Sequence, residues 1–370
     1  MAEKAKRTKR NTAVKPDRMD IRSVAEAAGV SVATVSRAMN YVPSVNPKMA
    51  KRVWKAIREL NYLPNSQARG LVSGRSRLLG LIVSEVTHPF FQELIQGFEE
   101  VAVEHGYDIL IGSLADDAER MRRCVQRMAE RKVEGIAVMS SGAEEPLLNQ
   151  LTNGMTPLVF VDVAPERPDV SVLHVNYHHG IRQGVQHLAA LGHRDIAFVA
   201  GPLQLYSAQS RLTAFRRSLQ ECGIPIVDAR IIDGDHTMQG GITAAERLLL
   251  YDNLPTAIMC SNDMLAIGVL HELSRGDVRV PDDISVIGFD DIHMAEMTIP
   301  PLTTIQISRP EMARSAVCAL RAQIEHSSSK RRYEINTHLV VRESTDFPRG
   351  AIPSLGRPQR QVRRQTSIET

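Results

Sequence analysis

Cysteine is scarce in this sequence, and long apolar segments are absent. The 370 residues include four cysteines, each isolated in the sequence, at Cys124, Cys222, Cys260 and Cys318. Because they lack the paired spacing of metal or disulfide motifs, they are predicted to be buried free thiols in a reducing cytosol. No apolar run approaches the roughly 20 residues that a membrane-spanning helix needs, and the Lys-rich N-terminus has no apolar signal core. These absences predict a cytoplasmic protein with no membrane association.

The motifs of common enzyme classes are absent as well. The chain has no Gly-x-Gly-x-x-Gly segment opening a helix, no Walker loop, no Gly-x-Ser-x-Gly elbow and no His-Glu-x-x-His pair. His174, His178 and His179 are neighbours, but loop histidines lack the one-face spacing of a zinc site. We therefore predict no catalytic residue, no metal and no cofactor. A sugar-processing α/β enzyme is the less favoured alternative, and turnover of sugars would reveal it.

Residues 20–40 have the pattern of two short helices joined by a tight turn. Asp20 and Ser31 are placed to cap the two helices, and Gly29 supplies the left-handed turn between them. The second helix has an outward face of short residues and one arginine: Val32, Ala33, Thr34, Ser36 and Arg37. Such a face fits the major groove of DNA, where arginine pairs with guanine and small apolar groups contact thymine methyl groups. A generic amphipathic helix pair would explain the glycine and alanines equally well.

A third helical pattern and a basic linker follow, which a generic helix pair does not predict. Asn46 and Pro47 form a cap and a first-turn proline, and Pro64 ends the helical region. Residues 65–73 can form one or two helical turns, but Gly70 makes them marginal in isolation. We expect this linker to become ordered on binding DNA.

The charge distribution also divides the chain just after the linker. Residues 1–77 contain seventeen Lys and Arg against five Asp and Glu, a net charge of +12. The whole chain carries +3, so residues 78–370 carry −9. A basic head is attracted to phosphate, whereas an acidic body is repelled by it. Residues 1–18 and 348–370 are expected to be disordered tails, the first basic and the second Arg-rich, without the leucine heptads of a coiled coil.

Several stretches of the head and linker match one known family. They are Val24-Ala25, Ala28-Gly29-Val30-Ser31, Thr34-Val35-Ser36-Arg37, Asn40, Tyr62, Pro64-Asn65, Ala68-Arg69-Gly70-Leu71 and Arg75-Ser76. These stretches resemble the lactose-repressor (LacI) family of bacterial regulators, and the resemblance continues to about residue 347. It implies a hinge helix in which Asn65, Ala68 and Arg69 contact DNA and Leu71 is an apolar wedge in the minor groove. It also implies a homodimer on a palindromic operator.

The body alternates apolar runs with amphipathic helical stretches. Strands are predicted at 79–84, 107–113, 135–139, 158–162, 171–175, 196–200, 257–261 and 285–289, with helices at 91–105, 118–132, 179–191, 207–222 and 237–250. This alternation predicts parallel sheets covered on both faces. It resembles the two-lobed, periplasmic-binding-protein-like sensor of the family. The predicted architecture is a three-helix helix-turn-helix head (19–64), a hinge helix and linker (65–77), lobe one (about 78–175 and 306–332) and lobe two (about 176–305 and 333–347).

Ligands of open parallel sheets bind beyond the carboxyl ends of the strands. The effector-binding residues predicted from such positions and from the resemblance are Ser84, Phe90, Asp162, Arg211, His236, Asn262 and Asp290. The resemblance implies that Arg211 clamps sugar hydroxyls or a carboxylate, which suits its planar fork of donors. Phe90 could instead be a core residue, with Phe91, and Asp162 a loop cap. Asp263 is expected to cap the helix that follows Asn262.

Two positions depart from the family pattern. His88 stands where the family often carries asparagine, and Asn176-Tyr177 stands where members commonly carry Asp-Asn. The sequence as a whole predicts a sequence-specific transcriptional regulator, most simply a repressor of carbohydrate-related genes controlled by a small sugar or sugar derivative. A regulator whose signal is a co-repressor or a protein partner is the alternative. No motif identifies the effector, its sign or the operator.

Overall fold

The computed structural model describes residues 20–39, 44–62, 75–114, 117–139, 156–162, 170–326 and 332–349. It divides into two units, residues 1–76 and 77–370. Three segments lie outside the described residues: the predicted N-terminal tail, most of the linker, and residues 350–370. So do four predicted DNA-contacting residues, Asn65, Ala68, Arg69 and Leu71.

The N-terminal unit contains three helices around a small apolar core. They are α1 (Ile21–Ala28), α2 (Val32–Met39) and α3 (Pro47–Glu59). Asp20 caps α1 as predicted, because its Oδ1 accepts hydrogen bonds from the backbone N–H groups of Arg22 and Ser23 at 2.9 and 3.0 Å. Gly29 follows at φ 58°, the left-handed conformation that the turn requires. The three-helix head is confirmed.

The strands of the second unit account for most of its core. They are β1 (Leu78–Val83), β2 (Asp108–Ser113), β3 (Gly135–Met139), β4 (Leu158–Val161), β5 (Val170–Asn176), β6 (Ile196–Val199), β7 (Ile231–Ile232), β8 (Ala257–Cys260), β9 (Ser285–Asp290), β10 (Thr303–Ile307) and β11 (Arg332–Val340). Most of them are buried apolar runs, as parallel strands covered on both faces require.

Helices alternate with these strands along the chain. They are α4 (Pro89–Glu104), α5 (Ala118–Glu130), α6 (Tyr177–Leu191), α7 (Tyr206–Glu221), α8 (Met238–Leu249), α9 (Asp263–Arg275) and α10 (Arg309–His326). Short 3-10 turns lie at Asp228–Arg230 and His293–Glu296. No helix in the described ranges is long and apolar enough to cross a bilayer.

Strand pairing joins two sheets through a shared strand. The order is β2-β1-β3-β4-β5-β11-β10-β9-β8-β6-β7. Pairing is parallel except between β10 and β11. Residues 332–336 of β11 pair with β5, and residues 337–340 pair with β10. We refer to the part around β1–β5 as lobe one and the part around β6–β10 as lobe two. The predicted fold class, a mostly parallel α/β body, is confirmed.

Two details of the body differ from the sequence-based expectations. Strands β7, β10 and β11 were missed, because β7 has two residues and the other two mix threonine, glutamine or charged residues with apolar ones. The four cysteines are free thiols, but the prediction that all are buried was wrong. Cys318 is exposed because it falls on the outward side of α10, between buried residues at 316–317 and 319–320.

Candidate functional site

The outward face of α2 is the candidate DNA-reading surface. Val32, Ala33 and Arg37 are exposed, and Thr34 and Ser36 are half-buried. The opposite side of α2 fills the head core with Val35, Ala38 and Met39. This division follows the helical period, so the small side chains and one guanidinium are presented together to solvent.

The turn before α2 is fixed by local hydrogen bonds. The backbone N–H of Thr34 donates to Ser31 Oγ at 3.2 Å, the predicted cap. Arg52 on α3 donates from its guanidinium to the carbonyl of Gly29 at 3.1 Å. These contacts hold the orientation of α2 without using Val32, Ala33 or Arg37, whereas the Thr34 hydroxyl takes part in the turn, 2.9 Å from Ser31 Oγ.

In the second unit, one cavity of about 390 Å³ opens at the carboxyl ends of the strands of both lobes. All seven predicted effector-binding residues line it: Ser84, Phe90, Asp162, Arg211, His236, Asn262 and Asp290. Ser84 and Asp162 directly follow β1 and β4, Asn262 follows β8 by two residues, and Asp290 ends β9. Strand ends from both lobes therefore supply polar groups to the same space.

Arg211 on α7 is the most constrained side chain of the cavity. It is only 7% exposed, and its Nη1 and Nη2 donate to the carbonyl of Ser261 at 2.5 Å and to Asp290 Oδ1 at 3.2 Å. The guanidinium lies 4.0 Å from the centroid of the Phe289 ring. Its buried Nε has no hydrogen-bond partner among the described residues. A buried donor without a partner is costly, and an acceptor on a bound molecule would satisfy it.

Asp290 is the acceptor that accompanies this donor. It is 4% exposed and has a φ of 111°, which L-residues rarely adopt. Burial raises the pKa of the Asp290 carboxyl, and the adjacent Arg211 opposes that rise. The Arg211 guanidinium and the Asp290 carboxylate thus lie side by side in the wall of the cavity, where both are largely shielded from water.

Tyr177 and Asp162 form a second polar pair. Asp162 accepts hydrogen bonds from the Tyr177 hydroxyl and from the backbone N–H of Val175, the latter at 2.9 Å. Asp162 therefore ties two strand ends together, as in the loop-capping alternative, and also lines the cavity. Tyr177 stacks within 5.2 Å of Arg211. Sequence reasoning treated Tyr177 only as a departure from the family pattern, although an aromatic residue opening a helix after a strand was the available signal.

Asn262 makes three contacts at the start of α9. Its Oδ1 accepts from the backbone N–H of Leu265 at 2.9 Å, so it is the helix cap. Its Nδ2 donates to the carbonyl of His236 at 3.0 Å and lies 3.3 Å from Nε2 of His88, across the cavity. The prediction that Asp263 is the cap was wrong by one residue, because Asp263 is wholly buried and accepts from Thr304.

The aromatic pair after β1 differs in detail from the sequence-based prediction. Phe90 is only 9% exposed and belongs to the body core, whereas Phe91 is partly buried and packs on that core. Their rings meet edge to face at 5.3 Å, and both line the cavity. Phe90 is thus the more deeply buried of the two, because it follows the first-turn Pro89 on the inward side of α4, and Phe91 packs on the same core from the cavity side.

His236 is held as a neutral imidazole. Burial lowers the pKa of His236 to about 3, with smaller contributions in the same direction from Arg211 and His88. Its Nε2 lies 3.0 Å from Ser261 Oγ. The described residues contain no group of three or more His, Cys, Asp or Glu placed to hold a metal ion.

Acid is expected to destabilise the body through His236. The unfolded side chain titrates near 6.5, so the unfolded state takes up a proton between pH 6.5 and 3 while the folded state does not. Above pH 6.5 the side chain is neutral in both states and does not reduce the free energy of unfolding. As pH falls from 6.5 toward 3, protonation of the unfolded state lowers that free energy progressively. Between pH 7.5 and 5 this residue alone should lower the free energy of unfolding by about 2 kcal/mol. Urea unfolding of wild type and His236→Gln at both pH values measures it, and equal acid sensitivity would contradict it.

Models of two protein families match this chain. Residues 20–65 match "Bacterial regulatory proteins, lacI family". Residues 185–345 match "Periplasmic binding protein-like domain".

Relatives and solved structures cover almost the whole length. The chain is 34% identical to the HTH-type transcriptional repressor PurR of Photobacterium profundum over 326 residues, 88% of this chain and 98% of that protein. The Lac repressor dimer bound to operator and the anti-inducer ONPF is 28% identical, with a TM-score of 0.78 over 89% of this chain and 99% of the repressor. The transcriptional regulator CelR in complex with cellobiose is 29% identical, with a TM-score of 0.68 over 88% and 100%.

Proposed function

This chain belongs to the LacI family of bacterial regulatory proteins, and we propose that its binding to a palindromic operator is controlled by an uncharged sugar or sugar derivative. Its relatives are DNA-binding transcriptional repressors rather than enzymes, so the repressor interpretation holds and the enzyme alternative does not. A repressor acts where the chromosome is, so we propose that it works in the bacterial cytoplasm, associated with the nucleoid.

The buried pair of Arg211 and Asp290 is the observation that carries the sugar proposal. A sugar presents neighbouring hydroxyl groups, each of which both donates and accepts hydrogen bonds. The Arg211 guanidinium supplies donors and Asp290 supplies acceptor oxygens within the same wall. Because both are poorly solvated, hydrogen bonds to them are strong and are specific for a ligand that carries both functions. The aromatic rings of Phe91 and Tyr177 offer apolar faces against a sugar ring.

The charge of the cavity favours an uncharged ligand over an anionic one. Among the described lining residues, Arg211 is the one arginine or lysine, whereas four carboxylates are present: Glu85, Asp162, Asp235 and Asp290. His236 stays neutral at physiological pH because its pKa is about 3. A phosphate or carboxylate entering this space would meet an excess of negative charge, which costs more in a poorly solvated site than in water.

A thermal-shift screen of the full chain tests this proposal. The panel holds D-glucose, D-galactose, D-ribose and cellobiose, with glucose 6-phosphate, gluconate and the purine bases adenine and hypoxanthine beside them. Ligand at 100 times its Kd stabilises the folded state by about 2.7 kcal/mol, so weak binding remains visible. We expect a neutral sugar to raise Tm and its phosphate or acid to have no effect. Stabilisation by the purine bases alone would overturn the sugar proposal.

We propose a homodimer as the DNA-binding form. The segment between β9 and β10 exposes apolar side chains, with Met297 64% and Ile299 96% exposed. The Lac repressor, to which this chain is similar, is described as a dimer on its operator. A two-fold protein reads two half-sites of a palindrome. Apolar residues this exposed are typical of contacts between chains.

Arg37→Ala is expected to relax the preference for one base pair in each half-site. Arg37 is the exposed arginine of α2, and its guanidinium can donate to both acceptor atoms of guanine in the major groove. The loss should be about 1–3 kcal/mol per contact. Selection of binding sites from random DNA, with Arg58→Ala of α3 as the control, measures the change. The same base preference in both variants would show that Arg37 does not read a base.

A further inference from the structure

Arg309, at the start of α10, is a buried arginine that neither the sequence pattern nor the cavity lining singled out. It is 8% exposed. Its Nη1 donates to the carbonyl of Asp290 and its Nη2 donates to the carbonyl of Asp291 at 2.7 Å. Its Nε lies 2.8 Å from Glu93 Oε2. The planar guanidinium thus contacts two consecutive peptide groups and one carboxylate.

The two peptides that Arg309 holds have an unfavourable conformation. Asp290 and Asp291 have φ angles of 111° and 56°, both in the region that favours glycine. Such a backbone persists only where the surrounding structure fixes it. Asp290 is also the carboxylate that faces Arg211 in the cavity wall. The placement of this carboxylate therefore depends on a side chain that lies outside the wall.

Glu93 adds a second contact between the lobes. Like Arg309 on α10, it belongs to lobe one, on α4, and its Oε1 accepts from the backbone N–H of His293, in the segment after β9 of lobe two, at 3.2 Å. Arg309 also lies 5.9 Å from the ring of Phe90, one turn earlier on α4 and in the cavity wall. One ion pair on lobe one thus contacts the backbone of lobe two at Asp290, Asp291 and His293.

We propose that Glu93 and Arg309 form a coupling clamp that transmits occupancy of the cavity at Asp290 to α4 and α10 of lobe one. A ligand hydroxyl bound to the Asp290 carboxylate shifts the peptides at 290–291, and the guanidinium moves with the two carbonyls that it holds. Since the guanidinium is in an ion pair with Glu93, that movement reaches α4. The clamp rests on the proposed function, because it needs an effector that controls operator binding.

The test separates effector binding from the response to it. Operator affinity of full-length Arg309→Met is measured without ligand and with a saturating amount of whichever of D-glucose, D-galactose, D-ribose or cellobiose stabilises wild type most. The quantity compared is the ratio of operator affinity without sugar to operator affinity with sugar. Coupling between allosteric sites typically changes affinity by about 5- to 150-fold. In the variant this ratio should fall to within about 2-fold of unity. The same sugar should still raise Tm of the variant, although by less than in wild type, because every side chain that lines the cavity is retained and only the support of Asp290 is removed.

Two further variants make the result decisive. Glu93→Gln keeps an acceptor for His293 but loses the charge opposite Arg309, and it should lower the ratio even if Arg309→Met does not fold. Arg230→Met is the matched control, because Arg230 is also mostly buried and pairs with Asp195 through two hydrogen bonds away from the cavity. It should keep the wild-type ratio.

The result that would overturn the clamp differs from the result that would overturn the proposed function. A wild-type ratio in both Arg309→Met and Glu93→Gln would overturn the clamp and leave the proposed function standing. An equal loss in the Arg230→Met control would show a general effect of removing buried charge and would also overturn it. A wild type whose operator affinity no sugar changes would overturn the proposed function, and the clamp with it.

Discussion

Arg211→Ala is expected to abolish the response to effector while operator affinity without effector stays within about twofold of wild type. Removing the guanidinium leaves the Asp290 carboxylate and the Ser261 carbonyl in a buried wall without their donor. A hydrogen bond to a charged group typically contributes about 1.5–3 kcal/mol. A ligand that needs the donor should therefore bind about 10- to 150-fold more weakly. The α2 surface belongs to the other unit and keeps all its side chains.

The measurement is operator binding as a function of sugar concentration, with Arg217→Ala as the control. Arg217 lies on the same helix, but it is mostly exposed and pairs with Glu221 at 2.9 Å. The control should respond like wild type, because exposed ion pairs contribute little to stability. An Arg211→Ala protein that responds at the wild-type sugar concentration would remove Arg211 from the site and with it the sugar proposal.

Leu71→Ala should weaken binding to the specific operator by about 100-fold and leave binding to random DNA nearly unchanged. The expectation rests on the sequence resemblance, since Leu71 lies outside the described residues. An apolar wedge between base pairs allows a bend that brings more protein into contact, whereas attraction to phosphate needs no wedge. The slope of affinity against salt should therefore be the same in both proteins on random DNA.

Val72→Ala, the neighbouring apolar position of the linker, is the control for Leu71→Ala. Fluorescence anisotropy with operator and random duplexes at two salt concentrations distinguishes the two roles. Equal losses on both duplexes would mean that Leu71 contributes only to packing or folding of the linker.

Features governed by neighbours in the chain could be predicted from the sequence. The caps at Asp20 and Ser31 and the turn at Gly29 depend on residues two to four positions away, and each lies where the sequence places it. The cavity residues at the ends of strands were predictable for a related reason. In a parallel sheet the carboxyl ends of the strands share one edge, so knowing the strands is enough to place Ser84 with Asp162 in one lobe and Asn262 with Asp290 in the other. That Asp162 and Asp290 line one cavity also depends on the antiparallel pairing of β10 with β11, which the sequence did not reveal.

Features that depend on long-range pairing were not predictable. Arg309 contacts Glu93 across more than 200 positions, and nothing near either residue signals the pair. Strand β11 alternates polar and apolar residues, and its role follows only from its neighbours in the folded sheet. Asp263 looked like a helix cap because it stands at the right place for one. It is buried instead, because Thr304 and the backbone N–H of Ile292 reach it from distant segments.

The shared strand β11 is where a bend would turn the two lobes relative to each other. Asn336 is the last residue of β11 paired with β5, and Thr337 pairs with Ile307 of β10, so a bend between them would rotate lobe one relative to lobe two. Leu78 lies five residues before Val83, which is at the cavity end of β1, or about 16 Å away at the rise of a strand. A rotation of about 10° over that length would displace Leu78 by about 3 Å. Arg77 precedes Leu78, so a small closure at the cavity would move the point where the chain enters this unit by about the spacing of one base pair.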